Sequence, residues 1–316
     1  MAIHTLQKFE ALLYATQDKH FQEKRNAAEK VYDKYTKAGP TENADYRSVT
    51  SVGLTQMTYT PQSGNVVFDE YEMGPERITT YKKFSTGIIV TEETIDDMRT
   101  NKRVFDDKVK LFTAFNTHAA EAATWTIEVL CTDFFTKGTS ATATATWVGP
   151  GRDALALFSA SHVTQKGAVT WSNYQTGAAM TQLAVQEGIT MLSNVPTEEG
   201  RPQGTVGEVI LMYGRFNEWR VDEILGTQKQ LDSNYNNINP LGKRKITPVL
   251  NPYFSNTFTG WALIDKANHE LLHFMKQDCT ISRDIHPLNG NRIQRAVMRF
   301  ARDFDSAKGV LLNPGV

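Results

Sequence analysis

Between residues 43 and 90 the sequence alternates strand-forming and polar residues, yet it carries too few large apolar side chains to bury a core of its own. The runs Leu54-Thr55-Gln56-Met57-Thr58-Tyr59-Thr60 and Val66-Val67-Phe68-Asp69-Glu70-Tyr71 have the period of two expected of β-strands. Pro61-Gln62-Ser63-Gly64-Asn65 turns one run into the next, Met73-Gly74-Pro75 interrupts the returning strand, and Ile78 to Val90 resumes it. An isolated two-stranded ribbon is marginal in water, so this one has to lie on something else. No other stretch constrains the fold as strongly.

The rest of the chain can build a core without help. Of 316 residues, 40% are hydrophobic and 22% charged, an ordinary composition for a folded protein of a size that needs neither disulfides nor metals. The 34 Lys and Arg residues balance 35 Asp and Glu, leaving a formal charge of −1 and no overall field to hold nucleic acid or an anionic membrane. Cys131 and Cys279 form no C-x-x-C pair, which argues against a zinc ribbon or a redox motif and fits a reducing compartment. The apolar run Ala11 to Ala15 stops at Thr16, Gln17 and Asp18, short of a signal peptide. Ile88 to Val90 and Val209 to Tyr213 fall well below the ~20 apolar residues of a membrane span, so no membrane contact is expected.

Residues 4 to 37 read as an amphipathic helix with Leu6, Phe9, Leu13, Phe21, Ala28, Val31 and Tyr35 on one stripe, stopped by Gly39-Pro40. After the ribbon, Thr91-Glu92-Glu93-Thr94 supplies an N-cap and acidic first turn. Beyond a polar break near Thr100-Asn101, Phe105, Val109, Phe112, Phe115, Ala119, Ala122, Leu130 and Phe134 continue a stripe to Gly138. A helix of about 30 residues is a rod of ~45 Å, a spine across the molecule. Past an Ala/Thr alternation (Ala141 to Trp147) and Gly149-Pro150-Gly151, helices are predicted over 176–194 and 216–225. Strands are predicted over 208–213, 246–250, 261–265, 271–275 and 293–300. Helices and strands do not alternate regularly, so the class is α+β.

Four motifs invite a chemical reading. His269-Glu270-Leu271-Leu272-His273 spells H-E-x-x-H, which holds zinc only on a helix, where residues four apart share a face. Here it lies between two strand-like runs, Trp261 to Asp265 and Phe274 to Lys276, and extended chain would part the imidazoles by ~13 Å. The longer metal motif would also need Gly at Lys276 and His at Cys279. Ser159-Ala160-Ser161-His162 has no G-x-S-x-G elbow, and Gly200 to Gly207 precedes a strand and lacks G-K-[ST]. Arg283, Arg292, Arg295, Arg299 and Arg302 form a basic stripe that suits phosphate or a neighbour's carboxylates, unless acids such as Asp284 and Asp303 pair it. No catalytic, cofactor or metal site is expected.

Thr86-Gly87-Ile88-Ile89-Val90-Thr91-Glu92-Glu93 before the long helix, then Leu157-Phe158-Ser159-Ala160-Ser161-His162, and Ser172-Asn173 with Thr176-Gly177-Ala178-Ala179-Met180, follow one another in a telling order. Val209-Ile210-Leu211-Met212, Asn236-Asn237-Ile238-Asn239-Pro240-Leu241, Thr247-Pro248-Val249-Leu250-Asn251-Pro252-Tyr253 and Trp261-Ala262-Leu263-Ile264-Asp265 continue it. Together they resemble the major capsid proteins of tailed bacteriophages, with the Hong Kong 97-type fold. The resemblance implies an N-terminal arm (1–42), an extended β-hairpin loop (43–90), a peripheral domain with the spine helix (91–150 and 276–316) and an axial domain (151–275). It implies pentamers and hexamers closing into an icosahedral head around double-stranded DNA, held non-specifically. The chain would then reside in the virion capsid, and in host cytoplasm during assembly. About 40 residues precede the ribbon, too few for a scaffolding domain, so a separate scaffolding protein is expected, with a portal and optionally a decoration protein. Some relatives join subunits through Lys-Asn isopeptide bonds; Lys82 and Lys83 lie in the ribbon, but no matching Asn and Glu motif transfers that chemistry. The rival readings are another virion component and a zinc hydrolase built on His269, Glu270 and His273.

Overall fold

A computed structural model describes residues 18–54, 56–61, 65–66, 68–69, 72–94, 102–144, 147–166, 169–204, 206–226 and 238–316, with backbone alone for Glu72 and residues 102–113. In chain order the elements are a helix α1 over 18–27, a 3₁₀ turn Tyr32–Lys34, and strands β1 (Lys37–Ala38), β2 (Asp45–Val52), β3 (Glu72–Thr80) and β4 (Lys82–Val90). The long helix α2 (Lys102–Thr136) follows, then β5 (His162–Val163), β6 (Thr170–Trp171), helix α3 (Gln182–Ser193), β7 (Val209–Tyr213) and helix α4 (Glu218–Gly226). The last strands are β8 (Ile246–Leu250), β9 (Trp261–Asp265), β10 (Leu271–Ile285), β11 (Arg292–Phe304) and β12 (Val310–Asn313). The class is α+β.

Two four-stranded sheets organise these elements, one ordered β1-β10-β11-β4 and the other β12-β9-β7-β8. Strands β7 and β9 are buried at every position because both faces of their sheet are covered. One face, with Ile210, Met212, Ala262, Ile264, Val310 and Leu312, joins the core built on α2. The alternate residues Val209, Leu211, Leu263 and Leu311 meet Val185 and Ile189 of α3 and Val221 and Ile224 of α4. Gly188 lets α3 sit close, since a Cβ there would come within 2.8 Å of the Leu263 side chain.

At 35 residues α2 is longer than its stripe predicts and spans ~52 Å. Its described core face is Ala119, Ala120, Ala123, Ile127, Leu130, Cys131 and Phe134, a three-and-four spacing that packs on Ala296, Met298 and Phe300 of β11. Thr91 caps the preceding turn, its hydroxyl accepting from the Thr94 N–H at 3.4 Å.

Four expectations need correction. The predicted helix 4–37 ends by residue 27; Leu6, Phe9 and Leu13 lie outside the described residues, and Lys37 and Ala38 pair with Leu272 and His273 instead. Gly39 follows this pairing so closely against β10 that any Cβ would strike the Phe274 ring. Helix α3 begins at Gln182, not 176, because Thr181 caps it and Gln175 donates its N–H to Leu312. Gly74-Pro75 does not interrupt the returning strand; the two residues form a bulge inside β3, opposite the register shift between Val49 and Ser51. The runs at 54–60 and 66–71 form no strand among their described residues, and pairing occurs at their flanks, from Asp45 with Thr80 to Val52 with Glu72.

Strand pairing also redistributes the expected segments. Residues 82–90 leave the ribbon at Tyr81 and pair along their length with β11, from Lys82 opposite Phe300 to Val90 opposite Arg292. At the other end, β12 pairs with β9, so the stretch 276–316 returns its last strand to the sheet of the 151–275 region. Continuous apolar runs satisfy either sheet, and only the three-dimensional register selects one.

Candidate assembly surfaces

The ribbon is fastened at its root and exposed beyond it. Arg77 donates from Nε and Nη2 to Asp303 Oδ1 at 2.8 and 2.6 Å, and from Nη1 to the Pro150 carbonyl at 2.5 Å. The Thr79 hydroxyl donates to the same carboxylate, and the guanidinium lies 4.4 Å from the centre of the Phe304 ring. Beside this pair, Tyr46 and Ser48 each donate to Asp305 at 2.7 Å, and Arg152 donates to the Ser48 hydroxyl at 2.6 Å. Burial and the Asp305 carboxylate push the Tyr46 phenol up to about 12. Both acids stand at the end of β11, so one strand grips the ribbon from its β2 and β3 sides.

Two further contacts hold the ribbon against its own subunit. The Gly53 N–H donates to Glu199 at 2.7 Å, and Lys166 reaches Asp69 at 2.5 Å. The Thr197 hydroxyl and the Gly53 amide stabilise the Glu199 carboxylate and hold its pKa down to about 2. Around these contacts the ribbon turns apolar groups to water: Met57 is 94% exposed, Tyr59 91% and Phe68 91%, with Val66, Met73 and Ile78 also exposed. Such a group of large exposed apolar side chains on one element marks a contact surface.

Residues 31–43 are seated on the body by polar contacts that sequence reading did not find. Glu128 of α2 accepts from the Val31 N–H at 2.5 Å and from the Tyr32 N–H at 3.1 and 3.2 Å. Lys37 donates to the carbonyls of Ala267 and His269 at 2.8 and 2.7 Å. At the β10 bulge, Lys276 donates to the carbonyls of Thr41, Glu42 and Asn43 at 2.5, 3.1 and 3.0 Å. Arg25 anchors α1 through Thr124 at 2.7 Å and Asp278 at 3.1 Å.

The H-E-x-x-H residues belong to this seat. Leu271 opens β10, so no helix brings the two imidazoles together. His269 is buried, its N–H bonded to the Asp265 carbonyl at 3.0 Å, and burial pulls its pKa down to about 4. His273 meets the Thr36 hydroxyl through Nδ1 at 2.9 Å, with the Tyr32 ring edge-on at 5.1 Å. Among the described residues no group of three His, Cys, Asp or Glu side chains could hold a metal ion.

The other sequence candidates scatter. His162 pairs with Asp153 at 2.5 Å and stacks on Trp171, whereas the Ser159 hydroxyl accepts from the Ser161 N–H at 3.3 Å. The glycines of 200–207 lie in a loop, Gly200 and Gly204 with φ of 79° and 103°. Of the basic stripe, Arg283 meets Asp18 at 2.6 Å, Arg295 meets Asp284 at 3.1 Å, and buried Arg302 meets Asp133 at 3.0 Å between the rings of Phe134 and Trp147. Arg295 and Arg299 share the exposed face of the first sheet, with Lys83 opposite Arg299. Lys82 and Lys83 are exposed at the start of β4.

Sequence reading passed over Arg77, Asp305 and Glu128, and set Asp303 beside the basic stripe of its own strand instead of with Arg77 of the ribbon. A signal for the acids existed, since Asp303 and Asp305 share one face at the end of a strand, opposite Phe304. Nothing local marks Glu128, whose partners lie almost a hundred residues earlier.

Comparison with solved structures settles the architecture. The chain superposes on the capsid of Myoviridae phage XM1 with a TM-score of 0.52 and 10% identity, covering 89% of each chain. The fold is that of phage capsid proteins. The same Hong Kong 97-type capsid fold aligns with the capsid of an empty GTA particle (TM-score 0.51, 12% identity, 90% of this chain and 88% of that one). It also aligns with a structure of Mycobacterium phage Bobi (TM-score 0.51, 12% identity, 90% and 91%). No protein-family model and no curated protein matches the chain. At these identities the capsid fold is carried by topology and core pattern, with side chains almost wholly replaced. Among the described residues no helix is long and apolar enough to cross a membrane.

Proposed function

We propose that the chain is the major capsid protein of a tailed bacteriophage, assembling with itself into the pentamers and hexamers of an icosahedral head that encloses double-stranded DNA. The observation that carries this reading is the ribbon: a polar root gripped by Asp303 and Asp305, and beyond it Met57, Tyr59 and Phe68 turned to water on a chain with a capsid fold. A neighbouring subunit is the partner that would cover them, because repeated contacts that close bury such a surface on every copy. In this reading the protein is a structural component and not an enzyme; His269 and His273 seat the arm through Lys37 and Thr36, and His162 pairs with Asp153.

In this reading residues 1–42 are the arm and 43–81 the extended loop. The peripheral domain takes 82–150 with 276–304, and the axial domain takes 151–275 with the closing strand Val310–Asn313. A separate scaffolding protein, a portal, an optional decoration protein and non-specifically held DNA are its further partners. It would act in the virion capsid after assembly in host cytoplasm. Electron microscopy of the protein expressed alone tests the proposal: closed shells or rings of five and six copies are expected, and compact monomers or dimers under all assembly conditions would sink it.

A further inference from the structure

Glu128 is a carboxyl group with no solvent access, two turns before the C-terminal end of the spine helix, and the partners of its oxygens are two backbone N–H groups of residues 31 and 32. Backbone amides at the start of a 3₁₀ turn carry partial positive charge only, so they compensate an ion incompletely. Among the described residues Glu128 makes no ion pair with a cation. Arg25, bonded to Thr124 one turn earlier on α2, is engaged by Asp278, Arg302 is engaged by Asp133 at 3.0 Å, and Lys34 by Glu29 at 2.8 Å. The charged groups of the seated segment that bear on Glu128 are Asp33 and Glu29, both of its own sign. The phenols of Tyr32, Tyr35 and Tyr253 and the Cys131 thiol also lie nearby, all four held neutral by burial, and the Arg302 guanidinium bears on Tyr35 and Cys131. Across the turn, His273 of β10 faces Thr36 and Asp33.

The two N–H bonds favour the ionised carboxyl and so work against burial, but they do not require the charge. Oε1 takes the short bond from Val31 and one arm of the Tyr32 bond, so Oε2 can carry a proton while both N–H groups keep an acceptor. We propose that Glu128 makes the seating of residues 31–38 on the spine helix proton-dependent, tight while its carboxyl is neutral and loosened when it ionises. The arm of one subunit is thereby coupled to pH within the subunit itself, whether or not a shell is present.

Burial, opposed by the Tyr32 and Val31 amide bonds and reinforced by Asp33 and Glu29, raises the Glu128 pKa to about 7 against an ordinary 4.5 when the arm is released and the carboxyl meets water. The proton therefore binds the seated state more tightly. This contribution is fully present below 4.5, declines as pH rises through the window, and is gone above about 7, a change of at most about 300-fold in the seating equilibrium. His273 works from the other side: burial lowers its pKa below 6.5, so protonating it in acid opposes seating. The arm is consequently held best in mildly acid solution.

Hydrogen exchange on the unassembled full chain, expressed as protection factors for the Val31 and Tyr32 amides, tests the proposal between pH 5.5 and 8. In the wild type protection should fall by tenfold or more toward pH 8. Glu128→Gln, which keeps an acceptor and cannot ionise, should hold its protection across the range. Equal pH dependence in both proteins, or greater wild-type protection at pH 8 than at pH 6, overturns the idea. A carboxyl-carbon nuclear magnetic resonance titration of the wild type, assigned through that variant, serves if the variant fails to fold: a midpoint near 7 supports the latch, and one between 4 and 5 refutes it.

Discussion

The ribbon's exposed face can be removed without touching its anchors. Met57→Ser, Tyr59→Ser and Phe68→Ser together replace three side chains that are each more than nine-tenths exposed, and leave the Arg77–Asp303, Gly53–Glu199 and Lys166–Asp69 contacts in place. Because the subunit buries none of this surface, its own stability should change by no more than about 1 kcal/mol, a shift in Tm of roughly 3 °C or less. If a neighbour covers the face, each side chain contributes roughly 1.5–3 kcal/mol on full burial, so even half-burial of all three is worth about 3 kcal/mol per contact. That is more than a hundredfold in the association constant of each contact. It recurs at every subunit, so closed shells should be lost outright. Thermal unfolding by circular dichroism gives the first quantity, and light scattering with electron microscopy gives the second. A triple variant that melts about 10 °C lower while still forming shells would show that the face belongs to the subunit's own core, and the reasoning about the ribbon would fail.

Asp303→Ala strips the partner from a nearly buried guanidinium and should cost about 3–5 kcal/mol, seen as a lowered urea midpoint of the subunit; a loss below about 1 kcal/mol would refute the anchoring role of Arg77. The Glu199 carboxylate, held at about 2 against an ordinary 4.5, ties the ribbon fully above pH 4.5 and releases it as pH falls toward 2. Protection of the Gly53 amide should follow that window in the wild type and lose it in Glu199→Gln. His269→Ala with His273→Ala should leave metal content and shell formation unchanged, as measured by elemental analysis and microscopy. Stoichiometric zinc in the wild type, lost in the variant, would reverse that reading. Gly309 has φ of 73°, and a Cβ there would come within 2.7 Å of the His269 backbone nitrogen, so Gly309→Ala should be destabilising by about 1–3 kcal/mol in denaturant melts, and a neutral effect would contradict the turn geometry.

Local pattern determined more of this chain than its low identity to the solved capsids suggests. The three-and-four stripe from Ala119 to Phe134 specified the spine helix. The unbroken apolar runs Val209 to Tyr213 and Trp261 to Asp265 specified buried strands, and the core-poor stretch 43–90 pointed to a ribbon, which the structure shows paired from Asp45 with Thr80 to Val52 with Glu72. The flanking strand signals around His269 were enough to argue against a zinc helix. These are properties that neighbouring residues settle among themselves through periodicity and burial. Only the tertiary structure decided which sheet each strand joins. It moved residues 82–90 onto β11 and Val310–Asn313 onto β9, because register depends on edges supplied by segments as much as 218 residues away, as for Lys82 and Phe300. It likewise decided where the predicted helix 4–37 gives way, since Glu128 captures the amides of Val31 and Tyr32, and Lys37 and Ala38 pair with Leu272 and His273. The polar anchors were invisible for the same reason: a carboxylate such as Asp303 or Glu128 reads as surface charge until folding removes its water and leaves a distant guanidinium or amide as its partner.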